Sequence, residues 1–266
     1  MNIDERLKSL TDIMDDGIAD CYVVDSCATG SSFLTHNPIA FDRYRSRHND
    51  LDVSRVRDGL RNAEAFVEFL RQYPSVGTVP MVMDEHKIRE SILSEFVRSF
   101  GRRNYHKGLG REARHPASIN KCSKVLSKLN ELEIEAGNIL RGRLYTSEDK
   151  DSLREYEELV IDACEIIRQR NGSINDEIIV ASAMHYAHKN EKHVALITGD
   201  ARFEGIVRKT QGYLNSLNST IRNESLREFL LNGGLSIIYK DENSFFDVAY
   251  CSEEFARIRH PTRQVV

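Results

Sequence analysis

The chain has 266 residues, 40% of them hydrophobic and 29% charged, with a formal net charge of −4 at pH 7. That length and apolar share suit one substantial α/β domain, or a domain carrying a large insertion. The mild acidity excludes a globally basic nucleic-acid binder, so any cationic footprint must be local.

Five cysteines, Cys21, Cys27, Cys122, Cys164 and Cys251, form no CxxC pair. A disulfide framework or zinc site is therefore not expected, and a reduced, cytoplasmic setting is. Met1 to Asp20 is polar and acidic, which predicts no signal peptide. No apolar run approaches the roughly 18 residues of a membrane helix, so no membrane partner is expected.

Residues 4–16 read as a short amphipathic helix or a loosely held start. Cys21-Tyr22-Val23-Val24-Asp25 is an apolar run ending on an acid, the pattern of a central buried strand. Ser26 to Pro38 is turn-rich. In 53–72, Val56, Leu60, Ala63, Phe66, Val67 and Leu70 recur at helical intervals. Val76-Gly77-Thr78-Val79 predicts a second strand, and Pro80 suits the first turn of a helix over about 81–98.

Composition changes from about 100 to 120. Arg102, Arg103, Lys107, Arg111 and Arg114 are interspersed with Gly101, Gly108, Gly110 and Pro116, the pattern of a basic loop. Helices are predicted over 121–140, 149–171, 175–190 and 214–232, the last stopped by a Gly233-Gly234 cap. Strands are predicted at 194–198 and 235–239.

The expected fold class is α/β, a parallel twisted sheet flanked by helices, with a helical, partly basic insertion. The expected division is a core of 18–98 and 172–250, an insertion of 99–171 and a tail of 251–266.

Four acids fall at comparable places. Asp25 ends the first strand, Glu85 lies early in the helix after the second, Asp176 opens a helix behind Asn175, and Asp200 follows the strand Ala195–Thr198. Strand C-termini and helix N-termini share one edge of a parallel sheet, so these carboxylates are expected to converge. Like-charged carboxylates repel unless a cation neutralises them. Oxygen ligands without His or Cys favour Mg²⁺ or Mn²⁺, ions that activate water against a phosphodiester. Taken singly, an Asp at a helix N-terminus is often only a cap, and an Asp after a strand is common in any α/β fold. Four together, each at its own place, point further.

Those residues carry a resemblance. Val23-Val24-Asp25, Pro80-Met81-Val82-Met83-Asp84-Glu85, Asn175-Asp176 with Ala181 and Ala183, and Leu196-Ile197-Thr198-Gly199-Asp200-Ala201-Arg202-Phe203 occur in the order of the PIN domain nucleases, which this chain resembles over roughly 20–40, 76–98 and 174–240. The resemblance implies Mg²⁺- or Mn²⁺-dependent cleavage of RNA. By it Asp25, Glu85, Asp176 and Asp200 match the metal-binding, catalytic acids, and Thr198 matches the polar residue beside them. Asp84 is the alternative to Glu85. Ser26 fits the pattern after the first Asp, whereas Cys27 and His86 depart from it.

The function expected is a metal-dependent endoribonuclease with an RNA substrate. Ser26 and Thr198 would bond the metal shell or a phosphate, and Arg202, Arg102, Arg103 and Lys107 would contact substrate. Tyr105 and His106 could stack on bases. Further partners consistent with this reading are an inhibitory protein and a second copy, paired through the helices of 121–171. The alternatives are a non-catalytic PIN-like RNA-binding or docking module and a structure-specific DNA nuclease.

Other chemistry is poorly supported. His185 and His188 lack carboxylates at ligand spacing and read as surface histidines. No GxSxG surrounds Ser31 and Ser32, and no Walker lysine or GxGxxG is present. Phosphatases with an aspartyl nucleophile place a second Asp where this chain has Cys27.

Overall fold

The computed structural model describes residues 10–26, 53–100, 116–168, 174–200, 202–217, 221–240 and 249–251. The chain divides into two compact units. The first comprises Met1–Ala28, Pro74–Val82 and Arg143–Val266, and the second Thr29–Tyr73 and Met83–Gly142. The stretch read from the sequence as an insertion is shared between them.

The first unit holds a sheet of β1 (Cys21–Val24), β2 (Val76–Gly77), β3 (Val194–Thr198), β4 (Leu235–Lys240) and β5 (Ala249–Cys251) in the order β2-β1-β3-β4-β5. The first four strands are mutually parallel. β5 runs antiparallel on β4, a departure from the all-parallel expectation. Its three residues fell partly in the predicted tail and are too few to show a period. β1 and β3 are buried at every residue, as strands covered on both faces must be.

Among the described residues, this unit holds the helices α1 (Leu10–Asp15), α5 (Lys150–Arg168), α6 (Ile174–Lys189), α7 (Arg202–Ser216) and α8 (Ile221–Leu231). α6 packs against β3 and β4 and also against α5 and α7. That position explains why Ile179, Val180, Ala181, Ala183, Met184 and Ala187 are all buried, with no wide polar face. The small residues allow close approach. Val23, Leu196, Phe203 and Ile237 join the same core, each large side chain contributing about 1.5–3 kcal/mol by leaving water.

The sequence reading placed one helix over 214–232. Instead α7 ends at Ser216 and α8 begins at Ile221. The apolar periodicity of the sequence runs on through both helices and gives no sign of this division, and residues 218–220 lie outside the described residues. The glycine stop is as expected. Gly233 takes φ +76°, and the N–H groups of Gly233 and Gly234 donate to the carbonyls of Leu230 and Phe229 at 3.1 and 3.0 Å, a Schellman closure.

A short segment borders β2. Thr78 N–H donates to the Arg143 carbonyl at 3.2 Å, and Tyr145 N–H to the Thr78 carbonyl at 2.8 Å. The Tyr145 hydroxyl donates to the Ser75 carbonyl at 2.6 Å. Burial holds the Tyr145 phenol well above its ordinary range, with nearby Cys21 adding to the effect.

The second unit is helical: α2 (Val53–Gln72), α4 (Pro116–Arg141) and α3 (Pro80–Phe100) from Met83 onward. α2 packs along α4, burying Ala63, Phe66, Val67 and Leu70 with Leu126, Leu129 and Leu140. His86 of α3 is buried, and its Nε2 lies 3.0 Å from the Glu133 carbonyl. A carbonyl only accepts, so Nε2 carries the proton. A Cβ on Gly137 would fall 2.7 Å from that nitrogen. Gly137→Ala is expected to cost about 1–3 kcal/mol through overpacking, measured as a lower urea midpoint. An unchanged midpoint would mean the ring yields freely.

Candidate functional site

β1 and β3 are neighbours in register, with Val24 opposite Ile197. β2 lies beyond β1 and β4 beyond β3, so strand order reverses between the two central strands. In an open α/β sheet, the crevice at the carboxyl ends beside such a reversal is where ligands bind. Asp25 follows β1 there, and Thr198 ends β3.

Asp25 is only 3% exposed. Its Oδ1 accepts the Ser26 N–H at 2.5 Å, and its Oδ2 accepts the Thr198 hydroxyl at 3.1 Å. Its own N–H donates to the Ile197 carbonyl at 2.9 Å, extending the β1–β3 ladder by one residue. These bonds offset the desolvation of a buried carboxylate and fix its orientation. Thr198 Oγ1 also accepts the Asp200 N–H at 3.0 Å, so one hydroxyl ties the ends of both strands together.

Asp200 has two tasks. Its Oδ1 accepts the Arg202 N–H at 2.8 Å, capping α7. Its Oδ2 accepts the Arg202 Nε–H at 2.7 Å and pairs with Nη2 of the same guanidinium. Arg202 Nη2 also lies 3.2 Å from Oδ2 of Asp176, in the first turn of α6. The guanidinium thus bridges two carboxylates from different elements. Its pKa is raised, mainly by the hydrogen bond to Asp200; burial opposes this, and the charges of Asp176, Asp200 and Asp25 add to it.

Three of the four predicted acids, Asp25, Asp176 and Asp200, therefore belong to the first unit, with Thr198, Ser26 and Arg202 beside them. Glu85 is half-buried on α3 in the second unit. Its alternative, Asp84, is exposed and paired with Lys87 at 2.9 Å. Arg102, Arg103, Lys107, Tyr105, His106 and Cys27 lie outside the described residues. Among the described residues, no three His, Cys, Asp or Glu side chains are gathered as a ready metal cage. Asp176 and Asp200 face Arg202, and Asp25 faces Thr198.

Two features escaped the sequence reading. Glu177, beside Asp176, is a buried carboxylate in the first turn of α6, where the helix dipole favours negative charge. Its signal was an acid leading an otherwise apolar helix. The histidines of α6 are not both superficial. His185 is 3% exposed, hydrogen-bonded through Nε2 to Ser152 Oγ at 3.2 Å and edge-on to Tyr156. His188 is half-buried between the Tyr156 hydroxyl, at 2.6 Å, and Ser225 Oγ, at 3.0 Å. Both serve α5–α6–α8 packing, which explains their three-residue spacing without a metal.

Comparison of the chain with protein-family models, curated proteins and solved structures finds no match.

Proposed function

We propose that this chain is a metal-dependent endoribonuclease with a PIN-like acidic site. One observation carries the reading: Asp25, Thr198 and Asp200 lie hydrogen-bonded together at the strand-order reversal, with Asp176 joined to them through Arg202. A buried carboxylate and two half-exposed ones offer hard oxygen donors, the chemistry that suits Mg²⁺ or Mn²⁺. The Arg202 guanidinium pairs with Asp176 and Asp200, a positive charge between two of these carboxylates.

Asp25, Asp176 and Asp200 would hold the ion, which when bound supplies a water of lowered pKa and neutralises a phosphate oxygen. The chain's own groups do the rest. The Ser26 N–H and Thr198 hydroxyl aim the Asp25 oxygens, and the Asp200 cap fixes the start of α7. Glu85 as a metal-binding acid, and Arg102, Arg103 and Lys107 as phosphate contacts, are proposed on the sequence pattern alone.

A second reading has its own observation. An N-cap Asp200 and an Arg202 ion pair are sufficient to staple α6 to α7 in a non-catalytic RNA-binding or docking module. Incubation of end-labelled single-stranded RNA with Mn²⁺, with Mg²⁺ and with EDTA separates the two. The nuclease cleaves with either metal and stops in EDTA. Cleavage that persists in EDTA, or absence of both cleavage and Mn²⁺ binding, removes the metal-nuclease reading. Preference for a DNA flap over RNA would make it a structure-specific DNA nuclease.

A further inference from the structure

We propose that a cleft between α5 and α6 binds a small organic cation, an ammonium group carried on an aromatic body. The cleft shares no residue with the acidic site, and the proposal stands apart from the nuclease reading.

The cleft follows from helical spacing. Lys150, Leu153 and Glu157 fall at intervals of three and four along α5, so they share one face. With His185 and Tyr186 of α6, and with Tyr145, they line a cleft of about 450 Å³. All of these residues belong to the first unit. The volume falls within the roughly 300–1,000 Å³ of small-molecule sites. The aromatic wall is held in place before any ligand arrives. The Tyr145 hydroxyl donates to the Ser75 carbonyl at 2.6 Å, and the Tyr145 and Tyr186 rings stand 4.6 Å apart, tilted by 42°.

Glu157 sets the charge of the ligand. It is half-buried and makes no hydrogen bond or ion pair among the described residues. Arg154, three residues away, pairs with Glu158 at 3.1 Å instead. Lys150 stands two helical turns off, about 10 Å along the axis, and the two do not pair. Burial raises the Glu157 pKa above the ordinary carboxylate value, Arg154 lowers it and Glu158 raises it. A carboxylate drawn out of water gains from an opposite charge brought against it.

Lys150 by itself would suit an anion. It is exposed, and residues 148–158 set Glu148, Asp149, Asp151, Glu155, Glu157 and Glu158 against Lys150 and Arg154 alone. Aromatic rings carry a negative face, so tyrosines attract a cation and oppose an anion. Carboxylate, local charge and rings therefore all select the same sign.

The test is calorimetry on the full chain with three probes of one shape: benzyltrimethylammonium, neutral benzyl alcohol and anionic phenylacetate. The cation is expected to bind saturably and more tightly than either of the others. Glu157→Gln is expected to weaken it roughly 5- to 20-fold, between the worth of an exposed ion pair and that of a buried charged hydrogen bond. Glu157 makes no bond within the fold, so the variant's melting temperature should match wild type. Tyr186→Leu should weaken the cation while leaving benzyl alcohol nearly unchanged. The proposal is overturned by a cation that binds no better than benzyl alcohol, by equal affinity in wild type and Glu157→Gln, or by preference for phenylacetate, which would assign the cleft to anions through Lys150.

Discussion

Asp176→Asn is expected to lower Mn²⁺-dependent RNA cleavage by about 10²–10³-fold, the usual scale for removing one electrostatic group from a transition-state site. The substitution keeps the side chain's shape and removes its charge. In the chain as folded, Asp176 Oδ2 contacts Arg202 at the mouth of the site, and its own side chain is 14% exposed. Stability is expected to change little. Arg202 is half in water and keeps its two contacts with Asp200, so the lost pair is worth no more than a surface ion pair. The first turn of α6 also loses one favourable charge, about 0.3–1 kcal/mol. Initial rates on labelled RNA and a melting curve on the same preparation check both halves. A variant with wild-type rate would show that Asp176 is a structural acid.

The second large effect concerns stability. Gly77→Ala is expected to destabilise the first unit by about 3 kcal/mol, at the upper end for overpacking a close contact. A Cβ at Gly77 would lie 2.2 Å from the Arg143 carbonyl oxygen and 2.8 Å from the Tyr145 ring. The carbonyl is backbone, and its segment is held to Thr78 on both sides, so it has no rotamer by which to retreat. Relief must come from parting β2 and the 143–145 segment. Gly205→Ala is the matching control. A Cβ there meets nothing within 4 Å, and the site is inside α7, where alanine is favoured over glycine by roughly 1 kcal/mol. Urea denaturation of the two variants should give shifts of opposite sign. A Gly77→Ala midpoint equal to wild type would mean that this backbone approach does not exist.

The sheet was legible where burial on both faces wrote unbroken apolar runs. β1, β3 and β4 were placed within a residue or two for that reason, and β2 was recognised but drawn longer. β2 carries a glycine, Gly77, for a cause no local pattern shows, the passage of Arg143 beside it. The antiparallel β5 and the division of 214–232 into two helices were missed. The first has too few residues for a period, and the second lacks a glycine or proline at its break.

The acids were legible as places on a topology. Strand ends and helix starts share an edge, and that argument assigned Asp25, Glu85, Asp176 and Asp200 to one region, whereas Glu85 belongs to the second unit and the other three to the first. Their partners were not legible. Nothing in the spacing of Asp176 and Arg202 announces an ion pair, because the approach depends on how α6 and α7 pack. Burial of His185 was hidden for the same reason. A polar residue on a helix reads as exposed until a neighbour such as Ser152 or Tyr156 covers it.

The hydrogen bond between Thr198 and Asp25 spans 173 residues of chain. A polypeptide is made from its amino end, and the central strand β1 emerges long before β3, its partner on the site side. A chain synthesised only as far as α6 therefore carries Asp25 and Asp176 with no Thr198 to aim the first and no Asp200 or Arg202 to join the second. These contacts form only once β3 and the start of α7 have been made.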